Sequence, residues 1–405
     1  MTDLPADVAV LIVGAGPAGL AAAADLRDRG IGPVLVIERD RDPGGVPRFC
    51  GHSPYGFREF RRPMFGPAYA KALVDRARRS GATIATGVMA TALLPGPRVA
   101  VTSDAGPAEI TARAVLLATG VRETSRAARL IGGTKPKGVL STGALQSMVY
   151  GAGQRPFRRP VILGTELVAF SAVLTSLHAG ARPIMMVEPG ERITARRPAG
   201  LMPGALGIPL RLGTRIAAVE GRERVEAVVL DTPDGPAHIP ADGLVVTGGF
   251  TPESTLLHGG LLQSDPGSGG PVIDTYGRCS QPGYYAAGNL LRPVETAGWC
   301  WSEGRRIARA IADDLTGTAQ SATSTVTVSG DALRFALPQR IAPGDPAPDH
   351  LQVRMSRAAH GRLSLRIDGQ EIAGRTLSAL PERRYSLPLP PPGRDSEITF
   401  EESRP

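Results

Sequence analysis

The chain opens on an uninterrupted apolar run, Val10, Leu11, Ile12 and Val13, of the kind that forms a strand buried on both faces. An alanine-rich stretch follows, and its spacing predicts a helix to about Arg29. Residues 33–37 predict a second strand that ends in Glu38, and residues 65–79 a helix with Pro67 near its start. Short strands are expected over residues 82–94, 99–102 and 108–119, before a connecting region rich in Gly, Pro and Arg over 120–153. The opening pattern then returns: strand 160–163, turn 164–169, helix 170–179, and strand 184–187 ending in Glu188. Residues 216–230, 237–239 and 244–246 read as further strands, 284–289 as a strand running into a glycine turn, and 296–315 as a helix. Beyond the small-residue linker 317–323 the period changes to short alternating strands, including 324–328, 350–355 and 363–367. A proline run over 388–392 and a charged tail predict a frayed end.

Between the first strand and helix lies Gly14-Ala15-Gly16-Pro17-Ala18-Gly19, the G-x-G-x-x-G spacing. Gly14 permits the tight turn, Gly16 lets a pyrophosphate approach the backbone, and Gly19 lets helix and strand pack closely. The helix N-terminus turns its free N–H groups toward the phosphates. Glu38, 24 residues after Gly14, stands where a carboxylate can hydrogen-bond a ribose diol. Strand, glycine turn, helix, strand and acid in this order indicate dinucleotide binding. The second copy has the same spacing from Gly164 to Glu188, but Glu166 replaces its second glycine and Ala169 its third. Glu166 is expected to occupy and repel a pyrophosphate, leaving this unit as scaffold, or as a site for another nucleotide or a rotated nicotinamide. The repeat gives an α/β fold class with two Rossmann-like dinucleotide-binding domains and a small C-terminal β-domain.

Composition narrows the function classes. The 405 residues suit two or three domains. A net charge of +8 invites a nucleic-acid partner, but the positive charge is dispersed Arg, with Lys only at 71, 135 and 137. Aromatic residues make up 4%, too few for a base-stacking platform, so no nucleic acid is expected. Cys50, Cys279 and Cys300 form no C-x-x-C pair, so no local redox dithiol and no metal site is expected, and a cytoplasmic location fits. The most apolar stretch, residues 161–187, is interrupted by Glu166, His178 and Arg182, so no membrane span is expected. Cys50 and His52 each read either as packed residues or as groups beside a cofactor, whereas Cys279 and Cys300 read as buried thiols.

Four segments together, Gly14 to Gly19 with Glu38, the Gly44-Gly45 pair, Ala118-Thr119-Gly120, and Tyr285 to Asn289 before a long helix, resemble the two-dinucleotide-binding-domain, glutathione-reductase-like flavoproteins. Two strings, residues 45–52 and 289–299, look like the FAD subunit of hetero-oligomeric dehydrogenases and oxidases such as hydrogen cyanide synthase, D-hydroxyproline dehydrogenase and opine oxidase. The tail, with residues 334–340 and 381–383, looks like the module on flavoprotein partners of glycerol-3-phosphate-dehydrogenase-like proteins.

The resemblance implies an FAD-binding domain from residues 1–122 and 280–318, a second domain over 123–279 and a β-domain over 324–405. It implies FAD held by Gly14, Gly16, Pro17, Ala18 and Gly19 at the pyrophosphate, and by Glu38 and Arg39 at the adenosine side. Gly44, Gly45 and Pro47 would line the ribitol and flavin. Val88 would offer backbone contacts to adenine, Ala118, Thr119 and Gly120 would close over the nucleotide, and Gly288 and Asn289 would meet ribitol and phosphate. Thr296 and Ala297 would begin a helix aimed at the flavin edge. No side chain is assigned to the chemical step, since the flavin ring carries the electrons in this class. The implied partners are a substrate-oxidising flavoprotein subunit together with a small iron–sulfur subunit, because no cysteine follows Cys300. The competing readings are a free-standing NAD(P)H-dependent reductase or oxidase and a non-catalytic structural subunit.

Overall fold

The first apolar run forms the strand Asp7–Val13, buried from Val8 onward. It pairs in parallel with Val34–Glu38, Val10 opposite Val34, and with Gly106–Leu117, Val13 opposite Leu117. Thr83–Thr86 extends the sheet beyond Val34–Glu38, and Tyr284–Ala286 pairs with the end of Gly106–Leu117. All of these strands therefore end at one edge, just before Gly14, Arg39, Gly87, Ala118 and Ala287. Such an edge is where open parallel sheets bind ligands. The strands Met89–Leu94 and Arg98–Ser103 form an antiparallel meander into the start of Gly106–Leu117.

The structure, a computed structural model, describes residues 4–196, 198–317, 321–344 and 350–403. Two compact units emerge. The first comprises Met1–Gly45, Ala70–Val121 and Pro252–Pro405; the second comprises Val46–Tyr69 and Arg122–Thr251. Residues 252–279 thus fall in the first unit and 46–69 in the second.

In the first unit the helix Pro17–Asp28 lies against the long helix Ala297–Leu315. Backbone contact makes the approach so close. A β-carbon on Gly304 would fall 2.1 Å from the Ala18 carbonyl oxygen, and one on Gly19 would fall 2.1 Å from that of Gly14. The core beneath combines Leu11, Leu35, Val115, Tyr284 and Leu291 with Phe335 and Leu337 from the strand Leu333–Leu337. Each such side chain contributes roughly 1.5–3 kcal/mol through burial.

The second unit repeats the plan with Pro160–Leu163, helix Leu167–His178 and Met185–Val187, joined by Gly243–Val246. Its helix starts at Leu167, so the last residues expected in the turn are already helical. The region expected to be only a connection is structured as well. Val139–Ser141 pairs with Gly243–Val246, and Thr142–Gln146 forms a short helix. Ser141 Oγ accepts from the Ala144 N–H, and the Glu123 carboxylate accepts from the N–H groups of Thr142 and Gly143. Capping by a residue so far upstream leaves no local signature in sequence.

Among the described residues the C-terminal part contains two sheets. The end expected to fray instead forms the strand Ser396–Glu402, which pairs in parallel with Ser324–Ser329 and antiparallel with Ala359–Ile367. Burial of Ile398 and Phe400 holds it there, despite the charged residues around them. Residues 404–405 lie outside the described residues.

Candidate functional site

The first glycine turn sits at the carboxyl edge of the first sheet. Gly14, at φ +108°, donates its N–H to the Ile37 carbonyl oxygen. A β-carbon on Gly14 would fall 2.5 Å from the Ala118 carbonyl oxygen, so only glycine fits. Gly16 is the helix N-cap and Pro17 follows at its start. Among the described residues no side chain caps this end, and a β-carbon on Gly16 would meet nothing within 4 Å. Uncapped N–H groups beside open space are the geometry that receives a phosphate anion.

The other predicted residues of the first unit surround this turn. Glu38 Oε2 accepts from the Ala15 N–H at 3.0 Å and Oε1 from the Asp40 N–H at 3.1 Å. The carboxylate is thereby aimed, with lone pairs left for a diol. Arg39 lies 3.6 Å from the Glu253 carboxylate. Gly44 donates to the Ala15 carbonyl oxygen, and Gly45, at φ +64°, lies against Gly16 and Pro17. The Val88 N–H is already engaged with the Glu38 carbonyl oxygen. Ala118 donates to Val13, the Thr119 hydroxyl donates to the Glu253 carbonyl oxygen at 2.8 Å, and Gly120 accepts from the Glu253 N–H. Gly288, at φ +77°, packs on Ala18. Pro47 belongs to the second unit, on the short turn Val46–Phe49.

Asn289 follows Gly288 at the glycine edge. Its amide is turned onto the chain: Oδ1 accepts from the Glu295 N–H at 2.7 Å and Nδ2 donates to the Glu295 carbonyl oxygen. This two-bond clasp closes the loop leading to Thr296, the N-cap of Ala297–Leu315. Thr296 accepts from the N–H groups of Trp299 and Cys300, and no side chain caps this helix start either.

Sequence reasoning missed Glu303. Its carboxylate accepts from the Gly288 N–H at 2.7 Å and from Arg292 at 2.7 Å, with Arg306 at 3.5 Å. Burial opposes ionisation, but Arg292 and Arg306 hold the carboxyl below its ordinary value. A signal was present. Cys300, Gly304, Ile307, Ala308 and Ile311 form the buried stripe of the helix, and Glu303 is the acid on that stripe.

The second turn is built differently. Gly164, at φ +113°, keeps the turn, and Glu188 keeps its place, accepting from the Thr165 hydroxyl and the Gly190 N–H. Glu166 fills the space above. β-Carbons on Gly164 and Gly248 would fall 2.5 Å and 2.3 Å from its carboxylate oxygens. Burial pushes the Glu166 carboxyl above its ordinary value, and the nearby Glu188 adds to this. Elsewhere in the second unit, the Cys50 thiol lies 3.6 Å from the Val46 carbonyl oxygen and 3.7 Å from Gln146 Oε1, and burial raises its pKa. Burial lowers that of His52. Among the described residues no helix is long and apolar enough to cross a membrane.

Known proteins match this arrangement. The family model of the pyridine nucleotide-disulphide oxidoreductases covers residues 8–311. An opine oxidase subunit of Agrobacterium tumefaciens is 28% identical over 82% of this chain and 71% of its own length. The same subunit from Rhizobium meliloti is 27% identical over 71% of this chain, which spans only 59% of that relative. A ferredoxin–NADP reductase of Saccharopolyspora erythraea is 28% identical over 72% of the chain and 87% of its own length. Among solved structures, thioredoxin reductase of T. acidophilum superposes with a TM-score of 0.65 at 20% identity, covering 77% of this chain and all of that one. L-proline dehydrogenase of P. horikoshii gives 0.60 at 23% identity, covering 78% of this chain and 57% of that one. The chain belongs to the pyridine nucleotide-disulphide oxidoreductase family and is an FAD-dependent oxidoreductase with two Rossmann-like domains.

Proposed function

We propose that the chain is the FAD-carrying subunit of a hetero-oligomeric dehydrogenase or oxidase. It takes electrons from a partner flavoprotein that oxidises an amine, amino acid or hydroxy acid, and passes them through an iron–sulfur subunit to a downstream acceptor. The cofactor binds the first turn. The residues that hold it are Gly14, Gly16, Pro17, Ala18, Gly19, Glu38, Arg39, Gly44, Gly45, Val88, Ala118, Thr119, Gly120, Gly288 and Asn289, with Thr296 and Ala297 at the flavin edge. FAD supplies the electron chemistry, and the chain binds, orients and electrostatically tunes it.

The observation that carries the reading is the contrast between the turns: Gly16 faces open space, and Glu166 fills the corresponding position of the second copy. A second turn stopped by its own carboxylate is poorly suited to an NAD(P)H pyrophosphate. Electrons must then come from elsewhere. The opine oxidase relatives are themselves named as subunits, which supports a partner and favours an opine as the class of substrate.

Rapid mixing tests this. NADH and NADPH should leave the flavin absorbance of the purified chain unchanged on the turnover timescale. Substrate should bleach it only when the partner flavoprotein is present. Fast bleaching by NAD(P)H alone would establish the free-standing reductase instead, a reading favoured by the ferredoxin–NADP reductase relative.

A further inference from the structure

Glu295 occupies a singular position in the first unit. Its side chain is only 6% exposed and meets three arginines. Arg292 approaches from its own loop at 3.7 Å. Arg354, on the strand His350–Met355 of the C-terminal sheets, donates to it at 2.9 Å, and Arg384 lies at 3.5 Å. Arg384 also stacks over the ring of Trp299, in the first turn of the helix Ala297–Leu315.

From this carboxylate two paths lead back to the glycine edge. The Asn289 clasp holds the Glu295 backbone. Arg292 joins Glu295 to Glu303, and Glu303 holds the Gly288 N–H. Between the clasped ends, Val294 is forced to φ +75°, a conformation a β-branched residue adopts only when its surroundings compel it. Because these charges share partners, their energies are coupled, and removing one changes the others.

We infer that Glu295 is a positioning residue for the flavin, and that Arg354 and Arg384 make the C-terminal β-sheets part of the cofactor site. They set the loop 289–296 and with it the start of the helix Ala297–Leu315. This rests on the proposed placement of FAD along Gly288 and Thr296. The C-terminal sheets thereby gain a role in the chemistry, because a force applied to them reaches the flavin through Arg354 and Glu295.

The test uses the full chain loaded with FAD. Arg354→Met should raise the FAD dissociation constant by about tenfold or more. It should also shift the bound flavin's absorption bands and potential, and Arg354→Lys should restore most of both. Arg357→Met, which breaks an exposed pair with Glu402 in the same sheets, should change neither. If Arg354→Met does not fold by circular dichroism, Arg384→Met carries the same measurement, since its side chain is about a quarter exposed. Unchanged affinity and spectrum in the folded variant would overturn the inference while leaving the cofactor reading intact. A wild-type chain that bound no FAD would overturn both.

Discussion

The two glycine turns share a backbone plan and differ in what lies above it. In each, a positive-φ glycine follows a parallel strand, and a carboxylate closes the next strand, Glu38 in one and Glu188 in the other. Over the first turn the space is empty at Gly16. Over the second, a side chain of the protein itself fills it. The same backbone plan therefore carries two different surroundings. The turn survives as architecture because Gly164 still makes the bend, while the Glu166 carboxylate occupies the space above it.

The strongest way to break the comparison is to carry the second turn's residue into the first. Gly16→Glu has the φ and the room to be tolerated, so the fold should persist. FAD affinity should fall by about a hundredfold or more as a carboxylate meets the pyrophosphate. Flavin absorbance retained after desalting measures this.

The reverse exchange is smaller. Glu166→Gly with Ala169→Gly should tighten NADH binding by about tenfold or more, read by calorimetry, because a like-charge contact is removed. No gain would overturn the proposal that Glu166 obstructs the second turn.

The smallest effect separates the two buried glutamates by pH. The Glu166 carboxyl is raised from its ordinary 4.5, so its charged form costs stability when folded. Glu166→Gln should match wild type below pH 4.5 and become the more stable protein as pH rises through the folded value. Glu303 is lowered from 4.5, so its contribution is complete above pH 4.5 and disappears as pH falls through its folded value. The stability lost by Glu303→Gln should therefore shrink on acidification. Thermal melts across pH 3 to 8 would show these opposite slopes, or remove the distinction.

Much of this was legible because its cause is local. Four apolar residues before Gly14 make a buried parallel strand, and the spacing from Gly14 to Glu38 repeats from Gly164 to Glu188. What was missed depends on partners distant along the chain. The clasp of Asn289 on Glu295 has no signature in sequence. Arg354 and Arg384 carry no mark connecting them to a residue some sixty to ninety positions earlier. The charged residues after position 393 concealed a strand, because the alternation of Ile398 and Phe400 with polar neighbours spans only a few residues.

That last strand has a kinetic consequence. Ser396–Glu402 lies between Ser324–Ser329 and Ala359–Ile367, so neither of those can complete its ladder until residue 402 has left the ribosome. Pairing across some seventy residues is slow compared with local contacts. The nascent chain can close its two glycine turns early, but the arginines that grip Glu295 arrive with the last sheets. Cofactor loading before those sheets form would thus meet an open, ungripped loop, and their pairing would latch it.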